Sequence, residues 1–162
     1  MTKTQGEIIV VLDNIRSTFN VGSIFRTSDA LGIDKIILCG TTPTPKDRFG
    51  RDREDIAKVS LGAEKTIASE YFATTLSAVK KLKKEGYKII MIEQSDKSVD
   101  YKKIKIKQGD RVAFVMGTEV EGLSPNLLKL ADQVAEIPMF GNKESLNVSV
   151  AFGVALFRIL NK

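Results

Sequence analysis

The chain contains no histidine and one cysteine, Cys39. A lone cysteine excludes a disulfide framework, and with no histidine beside it no metal centre is expected. The missing histidine also removes the one side chain whose ordinary pKa lies near neutrality. Any acid–base chemistry must therefore fall to carboxylates, Lys, Tyr, Arg or a group on the substrate. No apolar run is long enough to cross a bilayer, and the start, MTKTQGEIIV, lacks the shape of a secretory signal. A cytoplasmic protein with no membrane partner is the expectation. There is no G-x-G-x-x-G fingerprint, no Walker lysine motif, no internal repeat and no low-complexity segment.

What is present fits one domain spanning residues 1–162, with 43% hydrophobic and 28% charged residues. Twenty-five Lys and Arg against twenty Asp and Glu give a net charge of +5, which hints at a polyanionic partner.

Short runs rich in branched residues predict buried strands: EIIVVL at 7–12, KIILCG at 35–40, YKIIMIEQ at 87–94, RVAFVMG at 111–117 and QVAEIPM at 133–139. A helix is predicted after Asn20, which is its expected N-cap, with Gly32 as its stop. A second runs from Thr75 to Glu85, and a short one starts at Pro125 with Ser124 as its cap. Strand, helix and strand in succession indicate an α/β fold with a mostly parallel sheet. Lys102 to Gln108 alternates Lys with Ile and is expected to form an edge element.

The last helix, 147–160, places Val148, Ala151, Phe152, Ala155, Leu156 and Ile159 on one face. Val150, Val154 and Phe157 make its other face apolar as well, so burial nearly all round is expected. The loop before it, from Ile137, carries Glu144, Ser145 and Asn147, and Gly141 is its residue suited to a positive φ. Thr41 to Asp55 is the longest stretch without a regular pattern. It interleaves Lys46, Arg48, Arg51 and Arg53 with Phe49, a combination suited to phosphate contact and base stacking, although Asp47, Asp52, Glu54 and Asp55 dilute its charge.

Three polar clusters follow strands: NIRSTFNVGSIFRT, GTEVEGLS and IPMFGNKESLNVS. Ligands in open α/β sheets bind outside the carboxyl ends of the strands, so one site can collect all three. In this order they resemble the three motifs of the SpoU/TrmH branch of the SPOUT RNA methyltransferases. The first is matched by Asn20 through Thr27, the second by Gly117 through Ser124, the third by Ile137 through Gly141 and Ser145 through Ala151.

That resemblance implies a Rossmann-like α/β domain, helices on both faces of its sheet, whose C-terminal part is threaded as a trefoil knot. It implies a homodimer, S-adenosylmethionine (AdoMet) as cofactor, no metal, and methyl transfer to a ribose 2′-hydroxyl of tRNA or rRNA, tRNA favoured. The positions matching the family's cofactor site are Gly117, Ile137, Leu146, Met139 and Gly122, and a Gly117→Val side chain is expected to fill ligand space. Arg26 matches the family's key arginine, with Asn20, Glu119, Ser145 and Asn147 around it. A guanidinium is effectively always protonated, so Arg26 is expected to hold the target phosphate and polarise the hydroxyl rather than act as base. With the first strand at residue 7 and the last helix at the other end, RNA is expected on the catalytic dimer itself, through Arg16, Lys46, Arg48, Arg51 and Arg53. Two other classes fit the composition: an RNA-binding module that keeps the fold without catalysis, and a small-molecule enzyme indifferent to RNA.

Overall fold

In the computed structural model, residues 6–118 and 120–162 are described. Seven strands form one sheet: β1 (Ile8–Asp13), β2 (Lys35–Cys39), β3 (Ala68–Phe72), β4 (Lys88–Ile92), β5 (Val99–Asp100), β6 (Val112–Met116) and β7 (Gln133–Glu136). Every pairing is parallel, and the order is β3-β2-β1-β6-β4-β7-β5. The central strands β1, β6 and β4 are buried on both faces, which is why they read as unbroken apolar runs rather than alternating ones. Parallel pairing puts all the carboxyl ends on one edge.

On one face Val10, Leu12, Ile90 and Phe114 pack against two helices, α1 (Thr18–Leu31) through Val21, Ile24 and Phe25, and α6 (Val148–Leu160) through Phe152, Leu156 and Ile159. On the other face Val11, Ile37, Met91 and Val115 meet Ala78, Val79 and Leu82 of α4 (Thr75–Lys84) and Leu127 of α5 (Pro125–Leu128). The apolar stripe predicted for α6 is the buried one, and Ser124 caps α5 as predicted, its hydroxyl accepting from the Leu127 N–H.

Several expectations need correction. The cap of α1 is Ser17, whose hydroxyl accepts from the Asn20 N–H at 3.2 Å, so Asn20 lies inside the first turn and its side chain is free for a distant partner. Two short helices, α2 (Glu54–Ser60) and α3 (Ala63–Thr66), lie where the sequence predicts no helix. The edges of the sheet are β3 and β5, not residues 102–108. That stretch begins with a 3-10 turn at Tyr101–Lys103, and Ile104 is buried in the core with Ile106 packed against it, so apolar anchoring rather than strand pairing explains the alternation. Gly141 does not adopt a positive φ. Nor is α6 buried all round: Val150, Val154 and Phe157 are 50%, 40% and 38% exposed, an apolar stripe at i, i+4 and i+7.

Candidate functional site

A cavity of about 210 Å³ opens where β4, β6 and β7 end. The chain leaving β4 contributes Glu93 and Gln94, that leaving β6 contributes Gly117 and Thr118, and that leaving β7 contributes Ile137 and Met139. The loop before α6 closes it with Glu144, Ser145 and Leu146, and Val148 and Ala151 of the helix form part of the wall. The sheet order explains the convergence. The chain passes from β6 over the end of β4 to reach β7, then returns to pack α6 on α1, so the two segments wrap the end of β4 from both sides.

Four of the five positions expected to hold a cofactor, Gly117, Ile137, Met139 and Leu146, line this cavity. Gly122 does not; it shapes the turn behind the wall. Its φ is +63°, and a Cβ there would lie 2.5 Å from Oε2 of Glu93. Glu93 holds that turn: Oε2 accepts from the Leu123 N–H at 2.8 Å and Oε1 from the Gln94 N–H at 2.8 Å. Gly117 also differs from expectation. A Cβ on it would meet Leu123 Cδ2 at 2.8 Å and the Gly122 carbonyl carbon at 3.0 Å, so a larger residue strikes the turn rather than filling ligand space.

Glu93 and Gln94 are site residues the sequence reading missed, although a polar pair directly after the apolar run of β4 is the same signal that marked the other three clusters. The Gln94 side-chain amide donates to the Glu144 carbonyl at 2.7 Å, fastening the last loop to the end of β4. Among the described residues, three with carboxylates, Glu93, Glu136 and Glu144, line the cavity, and no Lys or Arg does.

Of the expected catalytic residues, Ser145 is on the cavity wall. Asn147 caps α6 beside it, its Oδ1 accepting from the Ser149 N–H at 2.9 Å, and its amide donates to Oδ1 of Asn20 at 3.2 Å. That bond crosses 127 residues and ties the first motif to the third. Arg26 lies six residues further along α1, roughly 9 Å along the helix axis. It is exposed, its side chain forms no hydrogen bond or ion pair with another described residue, and it is not one of the residues lining the cavity. Glu119 lies outside the described residues. No group of His, Cys, Asp and Glu that could hold a metal ion occurs among the described residues, and no helix among them is long and apolar enough to cross a membrane.

The residues expected to contact RNA gather elsewhere. Arg16 reaches Glu121 at 4.0 Å, a largely exposed and hence weak pair. Lys46 pairs with Asp52 at 2.6 Å, Arg51 with Asp47 at 2.8 Å and Arg53 with Asp55 at 2.9 Å. Of the four loop cations, only Arg48 has no carboxylate partner among the described residues, so the stretch is far less a charged patch than its four cations indicate.

A family model described as the SpoU rRNA Methylase family matches residues 7–157. The chain is 32% identical over 149 residues to the 23S rRNA (guanosine-2′-O-)-methyltransferase of Neisseria meningitidis, covering 92% of this chain and 56% of that protein. It superposes on the crystal structure of an AdoMet-bound rRNA methyltransferase from Sinorhizobium meliloti with a TM-score of 0.85 and 30% identity, over 99% of this chain and 58% of the other. The TrmH/SpoU tRNA-modifying enzyme of A. aeolicus gives a TM-score of 0.82 at 27% identity, over 98% and 76%. The chain thus spans a little under three fifths of the first two. With residues 7–157 matched by the family model and residues of the second and third motifs gathered on one cavity, this chain belongs to the SpoU rRNA methylase family.

Proposed function

We propose that the chain is an AdoMet-dependent RNA methyltransferase acting on a ribose 2′-hydroxyl in the cytoplasm, with tRNA favoured over rRNA. The observation that carries this reading is the single cavity on which Gly117, Ile137, Met139, Ser145 and Leu146 converge from two separate motifs. AdoMet, when bound, supplies an electrophilic methyl on a cationic sulfonium. The walls suit such a group: Ile92, Met116, Ile137, Leu146 and Val148 offer apolar surface, and carboxylates without cations favour positive charge. Gly117, Ile137 and Leu146 add main-chain donors and acceptors for reading a base edge.

The 2′-oxygen must shed its proton as it takes the methyl, and the chain has no histidine to receive it. Arg26 holds the adjacent phosphate and draws charge from the developing alkoxide, while the proton leaves to phosphate or water. Asn20 and Asn147, bonded to each other, fix the start of α1 against the start of α6 and so hold Arg26's helix against the cavity wall. Arg16 and the 46–53 loop contact RNA. A tRNA-modifying enzyme of the same fold, that of A. aeolicus, supports tRNA as the substrate.

The path from β6 over β4 to β7 and back to α1 supports threading of the C-terminal stretch as a trefoil knot. The exposed stripe of Val150, Val154 and Phe157 supports a homodimer that covers it; light scattering at micromolar protein is expected to give twice the chain mass.

The deciding experiment is calorimetric titration with AdoMet, followed by ribose-methylation mapping of RNA from a deletion strain against its parent. Saturable binding and one missing 2′-O-methyl group are expected. RNA binding without AdoMet binding would instead make the chain a non-catalytic RNA-binding module.

A further inference from the structure

The loop between β2 and α2 is folded into a tight hairpin by its own side chains. The Asp47 carboxylate accepts from the Phe49 N–H at 2.8 Å, the Arg51 N–H at 3.0 Å and Arg51 Nε at 2.8 Å. Those donors, led by the Arg51 N–H, hold the carboxyl of Asp47 below its ordinary range. The Asp47 N–H returns a bond to the Arg51 carbonyl at 2.8 Å, Gly50 turns at φ +77°, and Lys46 bridges Asp52 across the base. The hairpin presents one large apolar group, Phe49, 67% exposed. Two guanidinium groups flank its ring, Arg48 at 4.8 Å and Arg51 at 5.0 Å from the centroid.

Phe49 lines one side of a shallow groove of about 650 Å³, and Tyr71, half exposed on β3, lines it too. The Tyr71 hydroxyl is anchored by donating to the Gly40 carbonyl at 2.9 Å, so its ring is held in place. An exposed phenylalanine costs solvation, and a network of side-chain hydrogen bonds between residues 44 and 55 holds this one in view of solvent. Three of the four nearby cations are already matched by carboxylates. The groove is therefore built for flat, π-faced surfaces more than for a phosphate backbone alone.

We infer that this groove is a stacking site for an unpaired nucleobase, with Phe49 as the platform and Tyr71 as the second wall, so that the chain grips its RNA at a single-stranded segment rather than a duplex. This rests on the reading of the chain as an RNA methyltransferase, and adds to it the form of the RNA and how it is held. Bases within a helix keep their faces covered by neighbours, whereas splayed bases offer them. Arg48, the loop cation without a carboxylate partner among the described residues, meets the adjoining phosphate.

The chain has no tryptophan, so Phe49→Trp places the only indole at the platform. Titrating this variant with a short oligouridylate is expected to quench its emission saturably, and the duplex of that strand with its complement is expected to leave it unchanged at equal concentration. Phe49→Ala should weaken oligouridylate binding, measured by filter retention, about 5- to 150-fold with an unaltered salt slope. Arg48→Ala should reduce that slope by about one contact. Equal binding of strand and duplex, unquenched emission while the strand is retained on the filter, or full affinity in Phe49→Ala each overturns the inference. Methyl transfer to whole RNA, assayed in parallel, separates the two readings. If transfer persists while the indole of Phe49→Trp stays silent, only the stacking site is wrong; if AdoMet binding and transfer are both absent, the enzymatic reading falls.

Discussion

The cavity beside β4 and the groove beside β2 sit on the same edge of one sheet, yet they are made of opposite materials. The cavity is walled by main chain leaving three strands, by apolar side chains and by carboxylates, and its shape depends on a turn at Gly117 and Gly122 where any Cβ collides. The groove is walled by exposed aromatic and cationic side chains on a hairpin that folds itself, with nothing within 4 Å of a Cβ at Gly50. A site read by backbone is rigid because the fold is rigid; a site read by side chains keeps its shape through local bonds. The first suits one invariant small molecule, the second a polymer whose sequence varies around the target.

The sharpest way to test this division is to remove the group assigned to the reacting hydroxyl and its phosphate. Arg26→Ala is expected to lower single-turnover methyl transfer about 100- to 1,000-fold, the loss typical of one preorganised charge-stabilising donor, while AdoMet affinity and RNA affinity change little. Arg26→Lys should rescue little, because a point charge does not reproduce a planar fork. Transfer at the parent rate in Arg26→Ala, with both substrates saturating, would make Arg26 a surface residue.

Next in size is Gly117→Val. Its side chain strikes Leu123 and the Gly122 backbone, so the expected outcome is a loss of roughly 1–3 kcal/mol in denaturant stability together with loss of AdoMet binding. Stacking at Phe49 should survive wherever the variant stays folded. Undiminished AdoMet binding by the folded variant would place the cofactor elsewhere.

The ground under the groove has a weakness of its own. Cys39, at the end of β2, is fully buried, and burial, with the Asp13 carboxylate adding to it, pushes its thiol up to about 12. In the unfolded chain it titrates near an ordinary value of about 8.5. The folded pKa is the raised one, so this contribution to stability is intact below about pH 8.5 and is lost as pH rises toward 12, at up to about 1.4 kcal/mol per pH unit. Urea unfolding of Cys39→Ala across that window is expected to show a flatter pH dependence than the parent.

The smallest effect is expected from charge at the cavity. Glu93→Gln should weaken AdoMet roughly 2- to 5-fold more than it weakens the demethylated product, which lacks the sulfonium charge. Equal weakening of both ligands would mean that Glu93 acts only through the turn it holds.

These two regions also differ in how far the sequence revealed them. Strands β1, β2, β4 and β6 and the inner face of α6 were legible because burial on two faces forces unbroken apolar runs and burial on one stripe forces a helical period. The polar clusters at the strand ends were legible for the same reason, as interruptions of those runs. The partner of Asn20 was not, because a bond to Asn147 spans 127 residues and leaves no local trace. Nor was the meeting of β6, β4 and β7, which depends on strand order. Gly122 lies off the cavity, and Gly117 lines it but turns its Cβ position into the turn, a direction no sequence spacing reveals. At 46–53 the sequence showed cations, an aromatic and diluting carboxylates, but not that Asp47, Asp52 and Asp55 each pair with a particular cation and so leave Arg48 without one among the described residues.

One feature of the sheet bears on how the chain comes off the ribosome. β1 lies between β2 and β6, and Ile8 is paired with Val112, 104 residues later. At roughly 5–20 residues per second, one edge of a strand apolar from Ile8 to Leu12 waits on the order of 5–20 s for its neighbour to be synthesised. Such an edge is an invitation to other chains, and slow non-local pairing lengthens the exposure. A growing chain of this design keeps that edge open until β6 has emerged. Ligand binding, which needs β7 and α6 as well, arrives later still.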